Sequence, residues 1–297
     1  MNDVDVVLPT YNRAKIFDLV IESYFRDAAV RKIILIDDCS SVQNSNEYIK
    51  TAARYHDRVT YIRNSVRLGQ QRCRALGLTK VSTSLMMFGE DDVWLGSDYV
   101  TRLRNHIVFD GIDIIAGRLV DAQIGTDISE EILAICDKPQ PTEVVFNVKH
   151  LSSNYSARIP EIIDAPYLHT IAAINMQVFE KVAFDVRYGG NAHREETDFY
   201  MTAVTLGFKV KFSSEVTAYH IRGPLSGIGG HRGGGVNYLR TEFWVFRNTF
   251  RLVRKHWKLL HEKYGFRGGV LFYILTGFTP VRVKNAFRKL QRQNRAW

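Results

Sequence analysis

The sequence predicts an α/β fold, an open and mostly parallel sheet with flanking helices, followed by a basic helical segment at the C-terminus. Three observations carry that expectation. First, Val4-Asp5-Val6-Val7-Leu8, Ile33-Ile34-Leu35-Ile36 and Leu85-Met86-Met87-Phe88 are short, nearly unbroken apolar runs, the pattern of strands covered on both faces. Second, helix-period segments alternate with them: Ile16, Leu19, Val20 and Tyr24, then Gln70 to Leu78, then Leu95 to Val108. Such alternation reads as right-handed crossover units of a parallel sheet. Third, residues 239–297 hold 14 Lys/Arg against 2 Asp/Glu, a local net charge of +12, while the other 238 residues hold 26 against 29.

Beyond residue 120 the pattern loosens, broken by Pro139, Pro141, Pro160 and Pro166. A helix is expected from Arg194 to Leu206, ended by Gly207, with a strand at Lys209-Val210-Lys211-Phe212. Residues 223–235 contain seven glycines. That composition favours neither helix nor strand and predicts a mobile loop. Leu239 to Leu260 reads as a helix that interleaves Phe243, Trp244, Phe246, Phe250 and Trp257 with Arg247, Arg251, Arg254, Lys255 and Lys258. The apolar stretch from Gly268 to Val281 is too short to span a bilayer as a helix, and a second basic stretch, Arg282 to Arg295, follows it.

The chain has 297 residues, 45% apolar and 24% charged, the composition of an ordinary globular protein with a sizeable core. Three cysteines, Cys39, Cys73 and Cys136, lack metal-like spacing and leave one unpaired in any disulfide scheme, so a reducing compartment is expected. No basic-then-apolar stretch opens the chain, so no secretory signal peptide is expected.

The apolar runs end in polar clusters. Leu8 leads into Pro9-Thr10-Tyr11-Asn12-Arg13, Ile36 into Asp37-Asp38-Cys39-Ser40, and Phe88 into Gly89-Glu90-Asp91-Asp92. Open α/β sheets bind ligands outside the carboxyl ends of their strands, and here three strands deliver polar groups to that edge. Any one cluster is also what a turn or helix cap would use. Glu90, Asp91 and Asp92 repel one another unless a cation sits among them. Hard oxygen donors in small number suit Mg²⁺ or Mn²⁺, with substrate phosphates completing the shell. No G-x-x-x-x-G-K-S/T loop and no G-x-G-x-x-G after the first strand is present, so neither a P-loop nor a dinucleotide site is indicated.

In this order, over most of residues 3–222, these residues resemble the family 2 inverting glycosyltransferases of the GT-A fold. The resemblance implies a Rossmann-like sheet. Val6 to Arg13 is similar to the family's opening strand and loop, which implies nucleotide contacts for Pro9, Thr10, Tyr11 and Arg13. Ile36-Asp37-Asp38-Cys39-Ser40 is similar to its D-D-x-S turn, whose second acid, here Asp38, contacts the base. Asn64 to Gly69, and on to Arg72 and Gly77, resembles its N-x-G-x-x-x-A-R-N-x-G stretch and implies Arg72 near the nucleotide, with Gln70, Gln71 and Cys73 replacing small residues. Glu90-Asp91-Asp92 stands at the metal-binding D-x-D motif with glutamate in the first place. Asp92 is the favoured ligand, with Glu90 beside it and Asp91 toward the nucleotide. Arg194-Glu195-Glu196-Thr197-Asp198-Phe199 resembles the family's E-D helix start, whose second acid, here Glu196, is the catalytic base. Thr217-Ala218-Tyr219-His220 resembles the strand end whose histidine ligates the metal or the diphosphate. Glu195, His193, His231 and Arg232 are further candidates for acceptor or phosphate contacts.

The implied organisation is a nucleotide-sugar-binding half at 1–120, an acceptor-binding half with the base and the glycine-rich loop at 121–238, and a basic amphipathic segment at 239–297. The implied reaction is Mg²⁺- or Mn²⁺-dependent transfer from a UDP- or GDP-type sugar to a glycan or lipid-linked acceptor. The alternatives are a nucleotidyltransferase of similar fold and a non-catalytic nucleotide-sugar-binding subunit. Basic amphipathic helices bearing Trp and Phe suit a membrane surface, and the expectation is a peripheral enzyme at the cytoplasmic face; the alternative is a helical hairpin packed on the catalytic core with a solvated basic face. No nucleic-acid-binding module is read, so nucleic acid is not an expected partner.

Overall fold

The computed structural model describes residues 3–123, 133–134, 136–137, 145–190, 192–222, 236–275 and 279. Eleven strands are described: β1 (Val4–Thr10), β2 (Val30–Asp37), β3 (Val59–Arg63), β4 (Leu85–Phe88), β5 (Val93–Leu95), β6 (Ile114–Gln123), β7 (Phe146–Asn147), β8 (Ser152–Ser153), β9 (Ile163–Asp164), β10 (Ala172–Asn175) and β11 (Val210–Arg222). Nine form one sheet in the order β3-β2-β1-β4-β10-β6-β11-β5, with β9 also on β11, while β7 and β8 pair apart. β1, β2, β3, β4, β6 and β11 share one direction, and β5, β9 and β10 run against them.

The helices are α1 (Ala14–Arg26), α2 (Val42–Arg54), α3 (Gln70–Leu78), α4 (Tyr99–Asp110), α5 (Glu195–Thr205), α6 (Val236–Lys255), α7 (Trp257–Tyr264) and α8 (Val270–Tyr273). Alternation along β1 divides them into two layers. Val4, Val6 and Leu8 join the core with Ile16, Phe17, Tyr48 and Leu103 of α1, α2 and α4. Val7 joins the opposite core with Cys73, Phe199, Leu252 and Leu260 of α3, α5, α6 and α7. The nearly unbroken apolar runs follow from this, because both faces of the strands are covered. Gly77 lets α3 lie close on β1, since a Cβ there would stand 2.2 Å from Val7 Cγ1.

Four readings shift. The helix expected from Leu95 begins at Tyr99, because Val93–Leu95 pairs antiparallel with Ala218–His220 as β5. Residues 172–175, in the loosely patterned stretch, form β10 between β4 and β6. The strand at 209–212 continues to Arg222 through a register shift between Phe212 and Thr217. The helix expected over 239–260 is two, α6 and α7, which meet at His256. The glycine-rich stretch 223–235 and the basic stretch 282–295 lie outside the described residues.

Candidate active site

The loop after β1 and the turn after β4 form one hydrogen-bonded unit. Thr10 Oγ1 donates to Asp91 Oδ2 at 2.6 Å. The Tyr48 hydroxyl then serves as donor to Thr10, 2.6 Å away, and accepts the Arg13 backbone N–H at 2.9 Å. The Arg13 guanidinium bridges Asp91 Oδ1 at 2.9 Å and Asp92 Oδ2 at 2.7 Å. A protein cation thus offsets part of the repulsion that the three acids imply. Burial, then the Asp92 charge, push the Asp91 carboxyl up to about 6.

The pairing of β5 with β11 brings His220 to the same turn, with Ile221 N–H donating to the Asp92 carbonyl at 2.8 Å. His220 Nε2 lies 3.3 Å from Asp92 Oδ2, and its Nδ1 lies 3.4 Å from Asp121 Oδ1, directly across from it on β6. Burial opposes a charge on His220, but hydrogen bonding to Asp121 and Asp92 pushes it up to about 9. Glu90, Asp92 and His220 each present a ligand atom within 4.8 Å of the others. Two carboxylates and an imidazole that gives up its proton to a bound cation are, at this spacing, a donor set for Mg²⁺ or Mn²⁺ that leaves positions for phosphate oxygens. Tyr24 fixes the turn, donating to the Glu90 carbonyl at 3.0 Å. Burial pushes the Glu90 carboxyl up to about 7, aided by the charges of Asp92 and Glu196 and opposed by His220 and Arg74.

Across the sheet edge stand the two glutamates of the first turn of α5, gathered by Arg74 of α3. Arg74 is 0% exposed; its Nη1 donates to Glu195 Oε1 at 2.6 Å and its Nη2 lies 2.7 Å from Glu196 Oε1. Thr170 Oγ1 also donates to Glu196 Oε1, at 2.6 Å. The environments of the two acids differ. Glu195 is 2% exposed, and burial pushes its carboxyl up to about 7 in spite of Arg74. The Glu196 side chain is 31% exposed.

The sequence profile described as "Glycosyl transferase family 2" matches residues 5–178, more than half of the chain. The chain belongs to glycosyltransferase family 2. No protein with a curated description matches it. Many solved structures share its GT-A fold, two of them as follows. One is GalNAc-T7 with UDP, GalNAc and Mn²⁺, at TM-score 0.62 and 16% identity, covering 85% of this chain and 47% of that one. The other is residues 1–349 of S. aureus TarS in complex with UDP-GlcNAc, at TM-score 0.56 and 12% identity, covering 84% of this chain and 66% of that one. This chain therefore spans about half of the first and just under two thirds of the second.

In this glycosyltransferase domain the structure gathers Thr10, Arg13, Glu90, Asp91, Asp92 and His220 at one end of the site, and Glu195 and Glu196 at the other. Pro9, in β1, and Tyr11, just after it, are half-buried, and Arg67 lies over the Tyr11 ring at 3.9 Å. Both Asp38 oxygens accept backbone N–H groups, from Leu68 at 2.7 Å and Gly69 at 2.9 Å, so Asp38 shapes the loop into α3. Gly69 takes φ +86°, a conformation that favours glycine. Arg72 is exposed, and the inward-facing arginine is Arg74. His193 is half-buried in the turn before α5, while His231 and Arg232 lie outside the described residues. Sequence reading missed Arg74, Asp121 and Tyr48. The first had a signal: Arg74 is three residues from Gly77, so both share the face of α3 that packs on the sheet.

Proposed function

We propose that this family 2 domain transfers a hexosyl or N-acetylhexosaminyl group from a UDP- or GDP-type sugar to a hydroxyl of a glycan or lipid-linked acceptor, with inversion and with Mg²⁺ or Mn²⁺. One observation carries the reading: Glu90, Asp92 and His220 present ligand atoms within 4.8 Å of one another at the turn after β4, and Arg74, whose guanidinium lies over the Phe88 ring at the end of that strand, holds the half-buried Glu196 at 2.7 Å. Glu90, Asp92 and His220 would hold the cation, which when bound neutralises charge developing on the nucleoside diphosphate leaving group. The UDP in both solved neighbours supports that donor type.

Glu196 is the general base. Arg74 and Thr170 both engage its Oε1, which orients the carboxylate and leaves Oε2 for the acceptor hydroxyl. One base and one displacement at the anomeric carbon invert its configuration. Glu195 is too buried for that role and serves Arg74 instead: when Glu196 takes up a proton, Arg74 keeps its 2.6 Å hydrogen bond to Glu195 Oε1.

The domain works at the cytoplasmic face of a membrane in this proposal. Phe243, Phe246, Leu271, Phe272 and Leu275 are exposed on a segment rich in Lys and Arg, a combination suited to an anionic bilayer surface. Among the described residues no helix is long and apolar enough to cross a membrane.

The test is incubation with UDP- and GDP-sugars, Mn²⁺ and hydroxyl acceptors, with nucleotide release measured and product configuration read by NMR. The proposal expects inverted product from one donor class. Absence of transfer from every donor, or retained configuration, contradicts it.

A further inference from the structure

The C-terminal helix α6 does more than carry basic charge. Asp198 lies in the first turn of α5, two residues after Glu196, and is 0% exposed. Its carboxylate is held from the end of α6: Lys255 Nζ lies 2.7 Å from Oδ2, and His256 Nε2 lies 2.8 Å from Oδ1. Tyr188 donates to the same Oδ1 at 3.1 Å. Burial alone would raise the Asp198 carboxyl, but His256 and Lys255 hold it below the usual range.

The chain leading into α5 is fastened by the same helix. Arg251 lies 3.3 Å from Asp185, and Asn248 Nδ2 donates to the Gly189 carbonyl at 3.0 Å. The Trp244 ring lies close against Gly189 and Gly190, where a Cβ would come within 2.6 Å and 2.2 Å of it. From the other side, Gln71 of α3 donates to the Tyr188 carbonyl at 2.9 Å. A solvated basic helix would need none of these contacts. Four successive turns of α6 grip the segment 185–190 and the turn that bears both glutamates.

We infer that α6 is a clamp on the catalytic helix, with Lys255 and His256 as positioning residues that act on Glu196 through Asp198. The inference deepens the proposed function and rests on Glu196 being the base. Misplacing a catalytic group by about 1 Å can cost on the order of a hundredfold in rate. The clamp therefore governs turnover, while the nucleotide end of the site, built from the β1 loop, the turn after β4 and His220, stays independent of it.

The test uses the full chain with Lys255→Met, Lys255→Arg, Trp244→Leu and, as a control for lost charge, Arg254→Met. Amide hydrogen exchange, UDP affinity with Mn²⁺ and UDP release from a UDP-sugar are measured on each. Lys255→Met should speed exchange across residues 186–199 and lower turnover by about tenfold to a hundredfold with UDP affinity unchanged. Lys255→Arg should restore turnover, and Arg254→Met should match the parent. Trp244→Leu loosens the same segment without stranding a buried charge and should reproduce the effect. Unchanged exchange over 186–199 in both Lys255→Met and Trp244→Leu overturns the clamp, as does a parallel loss of UDP affinity and turnover. A parent that releases UDP from no donor defeats the proposed function instead, and the exchange data still decide the clamp.

Discussion

Arg74→Met removes the cation that two carboxylates share, and its cost depends on pH. Arg74 is 0% exposed and Glu195 2%, so the substitution strands Glu195 away from water. Removing one partner of a buried ion pair costs about 3–5 kcal/mol when the other stays charged. Glu195 can escape by taking a proton. In the parent it already sits at about 7, because burial outweighs the pull of Arg74, and without Arg74 it holds the proton more tightly. Near pH 6 the variant should lose only hydrogen bonds and packing, on the order of 1–2 kcal/mol. Near pH 8.5 the loss should approach about 3–5 kcal/mol. Urea unfolding followed by circular dichroism at both pH values gives the difference from the midpoints, provided the slope is unchanged. A loss equal at the two pH values, or below about 1 kcal/mol at the higher one, would refute the view of Arg74 as counter-ion to a buried Glu195.

Other outcomes follow from the same geometry. The raised Glu195 carboxyl means the folded state binds its proton more tightly than the unfolded chain, so this contribution to stability is present below about 4.5 and is lost as pH rises through about 7; Glu195→Gln should flatten the parent's decline in thermal midpoint over that window, and an unchanged decline would assign it elsewhere. Asp92→Ala should abolish Mn²⁺-dependent UDP binding with the fold intact, read by calorimetry and circular dichroism; parental affinity would remove Asp92 from the cation site. The full chain should sediment with anionic vesicles at low salt and be released as salt rises, because each basic residue near such a surface contributes on the order of 1 kcal/mol and the potential is screened; a protein that stays in the supernatant at low salt would make the exposed apolar face of α6 a protein-binding surface.

The parts of the fold that were legible in the sequence are those whose pattern is local. β1, β2 and β4 stood out because burial on both faces leaves nearly unbroken apolar runs, and α5 because three acids open its first turn. β10 was not legible: four small or apolar residues, Ala172 to Asn175, owe their place to partners 56 to 90 residues earlier in the chain. β5 was read as the start of a helix because Leu95 continues the apolar spacing of α4, whereas its pairing with β11 is decided more than 120 residues later. At the site, the acids announced themselves as strand-end clusters, but the choice between Arg72 and Arg74 depended on which face of a short helix meets the sheet. Asp198 was seen as a helix-start acid; its partners Lys255 and His256 come from a segment whose composition pointed to a membrane.

The central claim is that Glu196 takes the proton from the acceptor hydroxyl. It is tested most directly by comparing Glu196→Gln with the parent under saturating donor, Mn²⁺ and acceptor. UDP release and UDP affinity are measured on the same preparations. The account predicts that the variant binds UDP as the parent does and turns over about two to four orders of magnitude more slowly, the usual contribution of a positioned general base. Turnover close to that of the parent, with binding intact, would contradict it and move the base to another group.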